Sequence, residues 1–440
     1  MKNLCLSLAL MAMCTAAITA AEDFSAWKYR TPVVLTHRDA RTAGLVPVDV
    51  TFSAFADRCG DPKKDLRLVL ETSSGLKEVP FQISRLSRWS KDADGTKSMP
   101  TVNCMVTFFD EATGNGDARY FILYGNPAAK APSWPTDLKV SGKGPAWTIE
   151  NSVMTVRLHG RKDGVAENTN HDSGQLSSVV LKSKPGVPFE TKENVLHWNP
   201  CCFVPARGWM HSFAWDPPEV CEIESGPVFV EVRRSGPFPL IPEVRLSVTY
   251  RIFSGRAYVE SGTVLDVRDD IGVVALRNDQ MIFPAGFFTH FGIEEGGKSE
   301  VRPFSGYTAV NRHGDILRIA SDAPYVTFFN PAMGVGAASV RSDFSATGPD
   351  GGPATLFDCA TYLTNGDLQY WFRPLVYFHV GWDRKQLVTV AKGSRYTERN
   401  YYLFYVPGTG EPAAEVTALS RAVRSRPMVN IGEYLLPPDR

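Results

Sequence analysis

VRLSVTYRIF, Val244–Phe253, places an apolar side chain at every second position, and AYVESGTV, Ala257–Val264, follows it as an antiparallel partner. Alternation with period two is the mark of a strand with one face on a core and the other turned outward. The same pattern recurs at 46–52, 66–70, 106–109, 120–124, 154–158 and 228–232. Turn formers punctuate these runs at 92–95, 114–116, 349–352 and Asn365-Gly366. Helical spacing is persuasive once, where Pro412 opens a turn, Val416, Leu419 and Val423 share a face, and Pro427 follows. The chain is therefore all-β, with a short C-terminal helix.

Working outward, the first boundary falls after Tyr124-Gly125-Asn126-Pro127. Residues 22–127 form an N-terminal β-module, 128–145 a linker rich in Pro, Gly, Ser and Lys, and 146–440 a large second region. An all-β region of that size needs two stacked antiparallel sheets that cover each other. Ahead of the module, Lys2 and an apolar run ending in small residues near Ala20-Ala21 read as a signal peptide over 1–21, so a secreted or periplasmic location is expected. Lys plus Arg and Asp plus Glu balance at 47 each, which argues against nucleic acid or an anionic membrane as partner. Beyond the leader, the cysteines are Cys59, Cys104, Cys201, Cys202, Cys221 and Cys359, and Cys201 or Cys202 is expected to pair with Cys221. Their spacing has no zinc-binding CxxC pair, and no acidic run matches a calcium loop. No metal or other cofactor is expected, although a calcium ion is compatible with this class.

The chemistry concentrates in NVLHWNPCCFVPARGWMHSFAWDPP, Asn194–Pro218. Prolines and Gly208 point to a long irregular loop there, the kind of segment that carries binding groups. Trp198, Trp209 and Trp215 offer flat faces to the C–H side of a sugar ring, with His197, His211 and Arg207 at its polar rim. Gly334-Val-Gly336 lacks the context of a dinucleotide site, and no P-loop, HExxH or GxSxG occurs.

Two groups of residues carry a family resemblance. Val79-Pro-Phe-Gln82 and Arg119–Pro127 look like the small β-barrel or sandwich modules that precede carbohydrate-active domains. Trp147–Arg157, Ser225–Val232 and the Val244–Val264 pair look like a galactose-mutarotase-like super-sandwich. A small β-module followed by a super-sandwich is similar to exo-rhamnogalacturonan lyase-like proteins, whose helical toroid has no counterpart here. Asn170-His171 echoes the Asn-His pair of aldose epimerases, but their catalytic glutamate has no match, so mutarotase activity is disfavoured.

The resemblance implies an acidic polysaccharide or oligosaccharide as partner and β-elimination at a uronate as the reaction. That reaction needs a group to neutralise the carboxylate, a base for the adjacent proton and a donor for the leaving oxygen. The expected assignments are Arg207 for the carboxylate, His211 as base, and His171 or Tyr307 as donor. Substrate binding is expected from Trp198, Trp209, Trp215, His197, Asn278 and His290. Two other readings stay open. A glycosidase would need facing carboxylates, for which Asp216, Glu219, Glu222 and Glu224 are the nearest source. A binding or structural module would need only the aromatic faces.

Overall fold

A computed structural model describes residues 23–89, 100–161, 170–191, 195–309, 315–377 and 387–433. The proposed leader and the turn at 92–95 lie outside the described residues. The described chain is all-β apart from short helical turns and the helix Ala414–Arg424.

The Val244–Phe253 alternation lies within the strand Ile241–Phe253, near the middle of a nine-stranded antiparallel sheet. Leu246, Val248, Tyr250 and Ile252 point into the largest core, while Ser247, Thr249 and Arg251 occupy the opposite face. That core is completed by two further sheets. The six-stranded sheet supplies Met281, Phe283 and Trp371, and a five-stranded sheet supplies Ile149, Val156 and Val179. The last strand of that second sheet is Lys139–Lys143, hairpinned to Ala146–Glu150, so the segment read as a linker ends in regular structure. The cis Gly144-Pro145 peptide sits in the turn between them.

The N-terminal module stacks a five-stranded sheet on a three-stranded one, around a separate core that includes Val33, Val50, Phe52, Val106 and Tyr120. Its five-stranded sheet includes Met428–Ile431, paired with Tyr29–Thr36, so the far end of the described chain joins the first strand. The module seats on the second face of the nine-stranded sheet. Arg251 donates to both Asp49 oxygens at 3.0 Å, and Gln82 Oε1 accepts from the Val228 and Phe229 amides at 3.2 and 2.9 Å. The helix Ala414–Arg424 covers the same face. Val416, Leu419 and Val423 are buried there beside Tyr401 and Leu403, as their spacing predicts, and Arg424 pairs with Glu294 at 2.9 Å. No helix among the described residues is long and apolar enough to cross a membrane.

Two expectations need correction. The aromatic stretch is not irregular throughout, because Cys201–Val204 and Gly208–His211 form a β-hairpin on the edge of the six-stranded sheet. Strands this short, with Pro200 before and Pro205 in the turn, give too few alternating positions to be recognised. The expected disulfide is also absent, and all the cysteines from Cys59 to Cys359 are free thiols. Cys201 and Cys202 belong to the six-stranded sheet, whereas Cys221 lies in the edge strand Val220–Ser225 of the nine-stranded one. Cys201 Sγ instead donates to Gln280 Oε1 at 3.1 Å, and burial pushes its thiol up to about 12.

Candidate functional site

The hairpin sorts its side chains by strand geometry. Cys202 and Leu276 enter the main core and Met210 packs against it, so the alternate residues Cys201, Phe203, Trp209 and His211 face outward. Register places His211 opposite Cys201 and Cys201 opposite Arg277, which brings Arg277 into the same row. Trp209 lies opposite Phe203 in the next row. The Arg277 guanidinium carbon is 4.4 Å from the Trp209 ring centroid and 3.9 Å from that of Phe372. Stacking of this kind holds a cation in place without consuming its hydrogen bonds.

His211 is the hub of the cluster. Its ring centroid lies 5.0 Å from Trp198, 6.4 Å from Trp209 and 5.4 Å from Phe213. Phe213 in turn lies 5.8 Å from His171, so the two imidazoles flank one phenyl ring. Burial lowers the His211 pKa to about 4, against a hydrogen bond to the Trp198 backbone, and the Arg277 charge lowers it further. His211 is thus neutral at pH 7. Its Nδ1 and that of His171 have no hydrogen-bond partner among the described residues. Beside His171, Arg161 pairs with Asp216 through Nε at 2.9 Å and holds that carboxyl below its ordinary range.

The other expected residues scatter. Arg207 sits at the hairpin tip, roughly 13 Å along the strand from His211. There it is paired with Glu243 at 3.0 Å through both terminal nitrogens and donates to the Leu240 carbonyl. Trp215 is 5% exposed, belongs to the main core, and donates from Nε1 to the Pro237 carbonyl at 2.7 Å. His197 is fully buried, its ring nitrogens 2.7 Å from Tyr250 Oη and 3.0 Å from Tyr402 Oη, and burial holds it well below the usual histidine pKa. Trp215 and His197 are therefore core residues, because their neighbours in the stretch alternate between inside and outside.

Asn278 is 1% exposed and lies at a bulge inside the sandwich, opposite Arg373. Next to it Asp279, at φ 49°, accepts from Ser339, Trp371 and Arg373. Tyr307 accepts from Arg302 at 2.7 Å and packs on Phe291, in the region of the far edge strand of the nine-stranded sheet. His290 stacks on Phe329 and meets Thr289 Oγ1 at 2.9 Å. Neither is in contact with the His211 cluster.

Of the expected set, the structure brings together Trp198, Trp209, His211 and, through Phe213, His171. Sequence reading missed Arg277. Its signal was a charged residue directly after the apolar run Val273–Leu276, where a continuing strand would have to bury it. Among the described residues no group of three or more His, Cys, Asp and Glu side chains is placed to hold a metal ion.

No family model and no curated protein matches the sequence. Among solved structures, the chain is similar to a protein in glycosyl hydrolase family 38 from Enterococcus faecalis, at 12% identity and a TM-score of 0.50. The alignment covers 92% of this chain and 47% of the other. An α-mannosidase from Enterococcus faecalis aligns at 12% identity and TM-score 0.51, over 92% of this chain and 46% of that one. The chain thus spans just under half the length of those two proteins, and at this identity the likeness is one of fold. A galactose mutarotase-like protein from Lactobacillus casei is also among the similar structures, with 12% identity, TM-score 0.36, and coverage of 59% of this chain and 99% of its own.

Proposed function

We propose that this chain is an exported carbohydrate-active protein that acts on a uronate-containing glycan at the His211 cluster, by β-elimination. The observation carrying the reading is a neutral imidazole whose buried Nδ1 has no hydrogen-bond partner among the described residues, set between indole rings and one residue across from a stacked arginine. A sugar ring laid on Trp198 and Trp209 would bring its C–H face to the indoles and its carboxylate toward Arg277. His211 Nδ1 would then accept the proton next to that carboxylate. The C–H electrons form the new double bond, the bond to the glycosidic oxygen breaks, and His171 supplies the proton that the leaving oxygen takes. An arriving carboxylate also offsets the Arg277 charge and raises the His211 pKa toward the range where a base is most effective.

The fold shared with proteins whose names refer to glycoside hydrolysis supports a carbohydrate as ligand and leaves the chemistry open. Hydrolysis by paired carboxylates is less well supported at this place. Asp216, beside His171, is engaged by Arg161. The test is ultraviolet absorbance of unsaturated products after incubation with a panel of acidic polysaccharides. Activity present in the wild type, lost in His211→Ala and strongly reduced in Arg277→Gln is the expected result. Activity that survives His211→Ala would overturn this site. Reducing sugar released without unsaturation would overturn the chemistry.

A further inference from the structure

The geometry points to a second saccharide site, specific for anionic chains, in the groove between the N-terminal module and the nine-stranded sheet. The inference rests on the carbohydrate reading above but uses none of the His211 cluster. A cavity of about 310 Å³ lies there. Its floor is a row across three adjacent strands, in which Thr249 faces Gly262 and Gly262 faces Arg399. The next row holds Ser247, Val264 and Thr397. In these two rows hydroxyl groups and a guanidinium predominate, and Val264 is the one apolar side chain.

Gly262 is the sharpest clue. A Cβ added there would meet only the Thr249 Cβ, at 3.9 Å, and the residue is not among the glycines with positive φ. Neither crowding nor backbone conformation requires a glycine, although glycine weakens a strand interior by roughly 0.5–1 kcal/mol. A glycine kept under those conditions marks the approach of something else to the sheet.

Charge identifies the ligand class. Arg251 is held by Asp49 and Glu260, and Arg399 lies 3.6 Å from Glu260 and 3.8 Å from Asp343. Arg85 faces the same cavity from the module side and has no ion pair to a described residue. A bulge between Ser84 and Ser87 sets its backbone at φ 53°, which turns it off the regular strand direction. On the strand that carries it, Trp89 is 65% exposed and lies opposite Thr101, on the same sheet face as Ser87 and Asn103. That face is the one from which Asp49 and Thr107 reach Arg251. The groove thus offers hydroxyls along its floor, on its wall a guanidinium that acts on Glu231 only at a distance, and an indole on the adjoining strand face. A saccharide chain bearing carboxylate or sulfate groups satisfies all three.

Isothermal titration of the full chain with a galacturonate tetrasaccharide, a sulfated galactose tetrasaccharide and a neutral galactose tetrasaccharide tests this. The wild type should bind an anionic chain at least tenfold more tightly than the neutral one. Arg85→Ala should bring anionic affinity down to the neutral level, and Gly262→Leu should abolish groove binding of every probe. His211→Ala should leave groove binding unchanged. Arg85→Ala and Gly262→Leu both binding as the wild type would overturn the inference, as would binding lost in His211→Ala alone. Failure of the wild type to bind any of the three would overturn this site and the carbohydrate reading together. Product formation without groove binding would overturn this site alone.

Discussion

The aromatic stretch divides into two regions that share a composition and differ in what they do. His197, Cys202 and Trp215 point inward, and His197 spends both ring nitrogens on tyrosine hydroxyls while Trp215 spends its N–H on a backbone carbonyl. Trp198, Trp209, His211 and Phe213 gather on the other side, where His211 Nδ1 is buried without a hydrogen-bond partner among the described residues. Both histidines are kept neutral by burial. Burial and a lowered pKa therefore do not separate a site from a core. What separates them is whether the polar atoms are already used.

The largest effect that would break this comparison is on turnover. Removing a general base typically costs about 10²–10⁴-fold, so His211→Ala should lower unsaturated-product formation by that factor while His211→Ala protein still melts cooperatively. An inward residue should behave in the opposite way. Trp215→Ala should cost about 3–5 kcal/mol of stability in denaturant titration, as for other buried tryptophans, whereas Trp209→Ala should cost about 1–2 kcal/mol and weaken glycan binding instead.

The pH dependence is a smaller effect. His211 titrates near 4 in the folded chain and near 6.5 when unfolded. The unfolded chain therefore binds the extra proton between these values, so the contribution to stability is complete above pH 6.5 and is lost as pH falls toward 4. His197 acts in the same direction. Melting temperature followed from pH 7 to pH 4 should fall less steeply in His211→Asn than in the wild type. A slope unchanged by the substitution would contradict the burial described for His211.

The smallest effects concern residues that sequence reading favoured. Arg207→Ala should change stability by no more than about 1 kcal/mol, since its pair with Glu243 is exposed to solvent, and should leave product formation unaltered. Reductant should not shift the melting temperature, and thiol titration of the unfolded chain should find every cysteine from Cys59 to Cys359 free.

The fold was largely legible because strand alternation is a local property. Leu246, Val248, Tyr250 and Ile252 announce their face without knowledge of any partner, and Val416, Leu419 and Val423 do the same for the helix. The site was legible only in part. Trp198, Trp209 and His211 could be picked out by residue type, but the row that joins His211 to Arg277 exists only through strand register across distant segments. Trp215 and His197 could not be recognised as core residues from composition, because both lie outside the hairpin, His197 in an isolated bridge to Met281 and Trp215 after the turn Ser212–Ala214, where no alternation marks the inward side. The choice of Arg207 failed for a related reason. Nearness in sequence placed it beside His211, while the extended strand carried it to the other end of the hairpin.

The most direct test is nuclear magnetic resonance titration of the His211 imidazole, with and without a galacturonate oligosaccharide. The account predicts a pKa near 4 in the free protein that rises on binding as the sugar carboxylate offsets Arg277. A value near 6.5 in the free protein, or no response to the ligand, would contradict it.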